Sequence, residues 1–285
     1  MPQSTSRTWK KIACFYAMTF AISFPFWWIM INSSISLLPL MGLMWSPALA
    51  AILIKLAFRE RIRELGFSPR NGRLQLLGYA LPFLYATPIY LVVWLVGQEG
   101  FRQTVLGTTA AVRFPDLPAS QSLAWFVLLS LTLGFLDKAT RALGEEIGWR
   151  GFLVPELARA TSFTGVGLIS GLMWALWHYP LIVLGSYHSK APMWYGLLCF
   201  TVMVVAWGVI AAWLRLRSGS IWPVTILHAS HNALIQLVLN PLTVSTGATV
   251  YLIDEFGAGV ALGTVCIAVF VWVRAERSPR VQSDA

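Results

Sequence analysis

Charge is scarce in this chain: Lys, Arg, Asp and Glu make up 12% of its 285 residues, about half of the roughly 25% found in soluble globular domains. So few charges cannot keep a surface of this size in water, which excludes a soluble enzyme and a disordered chain. Cysteine is scarce too. Cys14, Cys199 and Cys266 each lie inside a long apolar run, and their odd number and wide spacing exclude a disulfide framework and a thiolate metal site. They read as small buried hydrophobes. No H-E-x-x-H occurs, so the two zinc-binding histidines one turn apart on a helix are missing. Internal repeats, low-complexity tracts and a soluble domain are absent as well.

What the chain has in abundance is apolar surface. Hydrophobic residues reach 57% and the mean hydropathy is +0.66. About 20 apolar residues are needed to span a bilayer as a helix. That ruler finds eight segments: Ile12–Ile31, Leu37–Leu56, Leu74–Val96, Leu123–Leu136, Phe163–Leu184, Met193–Leu214, Ile221–Leu239 and Ala258–Val273. The fourth is short and runs into Asp137, Lys138 and Arg141, and the seventh is interrupted by His228, His231, Asn232 and Gln236. The first follows Arg7, Lys10 and Lys11, but its apolar stretch exceeds the about 7–15 residues of a signal-peptide core and no A-x-A-like site follows, so it reads as an uncleaved span. The expectation is an all-α, polytopic membrane protein, one integral membrane domain over residues 1–285, with about eight transmembrane helices around an intramembrane polar cavity.

The net charge of +9 gains meaning from its placement. With the N-terminus inside, all but three of the 21 Lys and Arg fall on the cytoplasmic side, the exceptions being Arg102, Arg113 and Lys190. This is a positive-inside pattern, and it puts both termini in the cytoplasm of a multi-pass protein of the cell membrane. The run Arg59-Glu60-Arg61-Ile62-Arg63 then reads as an anchor beside anionic headgroups of the bilayer, not a nucleic-acid site. Gly97–Ser122 reads as an outer loop and the tail after Arg274 as loose.

Ionisable side chains inside a span cost about 2.5–3.5 kcal/mol on insertion scales and persist where they face a cavity or do chemistry. Three clusters qualify. In Gly144-Glu145-Glu146-Ile147-Gly148-Trp149-Arg150, Glu146 and Arg150 are i,i+4 neighbours and can neutralise each other, while Glu145 points about 100° away. Trp174-Ala175-Leu176-Trp177-His178-Tyr179-Pro180 places one histidine beside a proline that disturbs its helix. In His228-Ala229-Ser230-His231-Asn232, His228 and Asn232 share a face and can present two polar groups to one point, with His231 about 60° to the other side. Each alone has a plain structural reading: a buried ion pair, a histidine bonded to a carbonyl, interhelical hydrogen bonds. Together on three spans they resemble a water-activating centre with an oxyanion site.

Glu145-Glu146-x-x-x-Arg150, Trp174-x-x-x-His178 and His228-x-x-x-Asn232 resemble the three signature motifs of the CPBP family, the CAAX protease and bacteriocin-processing intramembrane proteases, which include the type II CAAX prenyl endopeptidases. The likeness covers Gly144 to Asn232, and the second motif departs from the family's usual Phe-x-x-x-His at Trp174. The resemblance implies peptide-bond hydrolysis in an intramembrane cavity that opens toward the cytosol, with residues 123–239 as the catalytic core. It implies that Glu145 and His178 activate water, that His228 and Asn232 stabilise the oxyanion, and that Glu146 and Arg150 hold the first motif in place. Trp174 packs beside the histidine. Two mechanisms stay open: a metal-free glutamate mechanism, or zinc held by Glu145, His178 and His228 with Glu146 as base. The implied partner is a peptide or a membrane-anchored, CAAX-like protein substrate. The competing functions are a proton-coupled transporter, disfavoured by the lack of repeats, and a catalytically silent scaffold or immunity protein.

Overall fold

The computed structural model describes residues 5–33, 36–96, 113–245 and 247–277. The segment 97–112, most of the outer loop expected over Gly97–Ser122, and the tail from 278 lie outside the described residues. The described chain is helical, without strands, and it is a polytopic membrane protein. The helices are α1 (Thr5–Asn32), α2 (Leu37–Ala57), α3 (Gly72–Val96), α4 (Ala119–Ala158), α5 (Phe163–Val183), α6 (Met193–Ser218), α7 (residues 222–239) and α8 (Ala258–Glu276).

These helices are apolar around most of their circumference because one side meets protein and the other meets lipid, so no amphipathic stripe is needed. Outward-facing Leu38, Leu76, Leu95, Leu133 and Trp194 are all highly exposed on them, a surface tolerable in hydrocarbon and not in water. Seven helices, all but α7, are long and apolar enough to cross a membrane. The seventh expected span does form a helix, α7, but His228, Ser230, His231, Asn232 and Gln236 dilute its apolar character. Its polar groups face protein, and most of its residues are buried.

The fourth span differs from its expected form. Instead of a short segment ending at Leu136, α4 runs unbroken for 40 residues. Asp137 accepts two hydrogen bonds from Arg141 (2.7 and 2.9 Å), and Lys138 donates to Gln236 of α7 (2.8 Å). The charges that looked like a helix end are partnered along the helix, so they do not stop it. Two stretches of α4, Ser130–Gly134 and Ile147–Leu153, take the wider i→i+5 turn, as does Ala233–Leu239 of α7.

Because consecutive spans alternate in direction, one end of the bundle collects the start of α1, the end of α2, the end of α4 and the end of α6. Lys11, Lys55, Arg59, Arg61, Arg159, Arg215 and Arg217 gather there, and this is the basic end. It is closed by the connection between α2 and α3. Lys11 pairs with Glu60 (2.7 Å) and Glu156 (2.5 Å), and Lys55 with Glu60 and Glu64 (both 2.9 Å). Gly66 turns the connection at φ 90, and its carbonyl accepts from the Ile221 amide (3.0 Å). Arg215 donates to the carbonyls of Arg150 (2.9 Å) and Glu64 (3.3 Å).

The Gly167–Gly171 spacing makes its close contact within this chain. A Cβ on Gly208 of α6 would sit 2.7 Å from the Gly167 carbonyl and from the Gly171 Cα of α5. Replacing Gly208 with Leu forces these backbones apart and should cost about 1–3 kcal/mol, read as a lowered unfolding midpoint in detergent. Gly72→Ala, with open space around it, should leave the midpoint unchanged.

Candidate active site

A cavity of ≈ 250 Å³ lies among α1, α2, α4, α5, α6 and α7, and Glu145, Trp174, His178, His228 and Asn232 all line it. The three motifs, whose Glu145 and Trp174 alone are 29 residues apart along the chain, therefore meet at one place. Glu146 and Arg150 lie behind that wall and do not line the cavity.

The arrangement begins with Arg150. Its guanidinium is fully buried, stacked 4.3 Å from the Trp174 ring and 4.7 Å from the Trp207 ring. It donates from Nη1 to Glu146 Oε1 (3.0 Å), as the i,i+4 spacing requires. The same oxygen meets His228 Nδ1 at 2.8 Å. A carboxylate oxygen only accepts, so Nδ1 carries a proton and Nε2 turns toward Glu145, 4.0 Å from its Oε1. His228 is held from both sides by ring contacts with Trp174 (5.3 Å) and Trp207 (5.5 Å).

Glu145 is buried at the cavity wall, and its Oε2 accepts from the Trp174 indole at 2.7 Å. At this position the tryptophan does more than pack. A phenylalanine could not donate this hydrogen bond, so the departure from the usual second motif gives the carboxylate a fixed partner. His178 Nδ1 lies 2.9 Å from the Trp174 carbonyl and so must donate there, which leaves Nε2 as the acceptor. Asn232 is half-buried, and its carboxamide has no hydrogen-bond partner among the described residues. Two polar groups thus face the cavity uncommitted.

A second cluster closes the far side, and sequence reasoning passed over most of it. Glu255, in the connection between α7 and α8, accepts from Tyr187 (2.6 Å) and Gln236 (2.9 Å) and pairs with His231 Nε2 at 3.3 Å. His231 Nδ1 meets the Tyr85 hydroxyl at 2.6 Å. Burial alone would raise the Glu255 carboxyl. The His231 partner, with the hydrogen bonds from Tyr187 and Gln236, outweighs it and holds the group below the usual carboxylate range. The signal that could have found Glu255 is the adjacent pair Asp254-Glu255 in an apolar stretch. Trp207, on an apolar helix, carries no such signal.

Among the described residues no group of three or more His, Cys, Asp or Glu side chains is arranged to hold a metal. His178 and His228 each donate Nδ1 to a carbonyl or carboxylate and keep Nε2 free, and Glu145 accepts from the indole through Oε2 alone.

Residues 118–234 match the family of type II CAAX prenyl endopeptidases, Rce1-like. The chain is also similar to "CAAX prenyl protease 2" of Methanococcus maripaludis, at 32% identity over 78 residues. That alignment spans 26% of this chain and 28% of the relative, little more than a quarter of either. Both matches support assignment to the CPBP/CAAX protease family.

The geometry separates the two adjacent carboxylates by role. Glu146→Ala leaves Arg150 buried without its counter-charge, a loss of about 3–5 kcal/mol. Glu145→Ala leaves only an indole N–H unmet, about 1–3 kcal/mol. Denaturant unfolding of the two variants in detergent should show the larger drop for Glu146→Ala, and equal drops would overturn the assignment.

Proposed function

We propose that this chain is an intramembrane endopeptidase that hydrolyses a peptide bond in a membrane-associated or lipidated, CAAX-like protein or peptide. The observation that carries the reading is the meeting of Glu145, His178, His228 and Asn232 in one cavity, with two of them free of protein partners on the side they present.

Water bound between Glu145 and His178 is the nucleophile. Glu145 takes its proton as general base, and His178 Nε2 orients the water and shares the proton load. As the water oxygen bonds to the scissile carbonyl carbon, the carbonyl oxygen becomes an oxyanion, which the Asn232 carboxamide meets as donor. His228 donates from Nε2 when its ring carries a second proton. Glu146 and Arg150 act as positioning residues: they fix the His228 ring and leave its other edge to the substrate. Collapse of the tetrahedral intermediate returns the proton to the leaving amine. No step is routed through a metal. The chain sits in the cell membrane with both termini in the cytoplasm, and the apolar wall formed by Trp27, Met30, Leu181, Phe200 and Met203 suits an apolar portion of the substrate.

The test is cleavage of fluorogenic peptides, prenylated and plain, by the detergent-purified protein, before and after exhaustive chelation. Glu145→Ala should lower kcat at least about 100-fold, and Asn232→Ala about 100- to 1,000-fold with little change in KM. Activity should survive chelation. Loss on chelation with rescue by zinc would move Glu145, His178 and His228 into ligand roles and overturn the metal-free reading. Silence on every peptide with correctly folded protein would overturn the proteolytic one.

A further inference from the structure

Two charged side chains of the fourth span, Lys138 and Arg141, take no part in the catalytic steps, yet both line the cavity. Other parts of its wall come from the last third of α1 (Trp27, Met30), the first half of α2 (Leu40, Met44) and the second half of α5. Phe135–Glu146 is regular α-helix, so positions 138, 141 and 145 stand at i, i+3 and i+7, within about 60° of one another on one face of α4. The helix rise sets Arg141 about 6 Å and Lys138 about 10 Å from Glu145 along the axis. The two cations thus continue the wall that carries the general base.

Neither is matched by a carboxylate from within the cavity. Lys138 Nζ donates to Gln236 Oε1 (2.8 Å), which takes one of its three hydrogens and none of its charge. Gln236 Nε2 donates in turn to Glu255 Oε1 (2.9 Å), so an amide stands between the ammonium and that carboxylate. Lys11 and Lys55, by contrast, pair directly with Glu60. Arg141 has a carboxylate four residues away on either side and spends Nη2 on Asp137 (2.7 and 2.9 Å), which is half-exposed and does not line the cavity. That choice leaves Glu145 free to act as base. The Nε of Arg141 is buried with no hydrogen-bond partner among the described residues. Cations persist inside a span where they meet a partner or serve a function, and a buried N–H without an acceptor is costly until one arrives.

We propose that Lys138 and Arg141 form an anion subsite for a carboxylate of the leaving peptide, either its free C-terminus or an acidic side chain within it. The assignment rests on the proteolytic reading of the cavity. An extended chain advances about 3.3–3.6 Å per residue, so a short leaving peptide bridges the distance from the scissile bond to the two cations. The guanidinium fork gives such a carboxylate a direction and the ammonium adds a point charge. Both residues set specificity and neither touches the reacting atoms. A leaving peptide without an anion leaves both cations unmatched, and a site built to bond a group rejects the analogue that lacks it.

The test uses the full-length, detergent-purified protein and fluorogenic peptides of matched sequence. They end in a free carboxylate, in a carboxamide, or in a carboxamide with Glu as the last residue. The free acid should be cleaved with a kcat/KM about 10- to 100-fold above that of the plain amide, chiefly through KM, as the loss of a charge-assisted hydrogen bond predicts. Recovery with the Glu carboxamide supports a subsite that takes a side-chain carboxylate, and failure to recover supports one that takes the chain terminus. Lys138→Gln and Arg141→Gln should each bring the acid-to-amide ratio down toward one, whereas Lys138→Arg should keep it. Because each variant is its own reference, this ratio does not move with the amount of folded protein. A wild-type ratio near one, or a ratio that survives both Gln substitutions, overturns the subsite and leaves the protease reading intact. Binding is read separately on Glu145→Ala through the fluorescence of Trp27, Trp174, Trp177 and Trp207, which line the cavity. The acid should bind about 10-fold more tightly than the amide, and equal binding overturns the subsite. Tighter binding of the acid with no peptide cut by the wild-type protein keeps the subsite and overturns the proteolytic reading.

Discussion

The site depends on one buried cation. Arg150 has been taken out of water completely, a transfer that is repaid only when the charge finds both a counter-charge and further favourable contacts. Glu146 supplies the first, one turn away on the same helix. Two indole faces supply the second, from α5 and α6. The same Glu146 oxygen then reaches across to His228 on α7. Four helices are thereby fixed to one point through a single ion pair, and each motif is positioned by a group in another.

The division of labour between the two ends of the bundle follows from the solvent on either side. At the basic end, lysines and carboxylates are paired across α1, α2 and α4, and the connection from α2 is bonded down to α4 and α7. Toward the other end the same helices part around polar groups that stay hydrogen-bonded to one another through Glu255. The apolar exterior, with Leu38 and Leu95 facing outward, keeps this polar interior away from lipid, and much of it is hydrogen-bonded within the protein.

Much of this was legible in the residues, because membranes impose simple rules. Span lengths, the all-helical class and the Glu146–Arg150 pair follow from rise per residue and i,i+4 geometry, and the gathering of the three motifs follows from the cost of unpaired polar groups in hydrocarbon. What was illegible depends on neighbours brought in by tertiary packing. Asp137 and Arg141 looked like a helix end because their mutual pairing, and the Lys138–Gln236 bond between helices, cannot be seen in one dimension. Trp207 looked like any lipid-facing aromatic until Arg150 was found against it. The indole at position 174 was judged by its size, whereas its N–H is what meets Glu145. The depth of the cavity was illegible for a different reason: it depends on which third of each helix contributes, and motif order alone does not encode that.

The wide turns that begin right after Glu146 and right after Asn232 carry a last consequence. Each is a stretch where the helix holds one more residue than an ordinary α-turn would, commonly read as the trace of a single inserted amino acid. Removing that residue would restore the regular winding and rotate everything beyond it by about 100°. Glu156 would then turn away from Lys11, and Gln236 would swing away from Glu255. In these two stretches the number of residues is constrained more tightly than their identity. A lineage could exchange Ile147 or Leu237 for other apolar side chains at small cost, yet a one-codon deletion there would dismantle the site while leaving every signature residue in place.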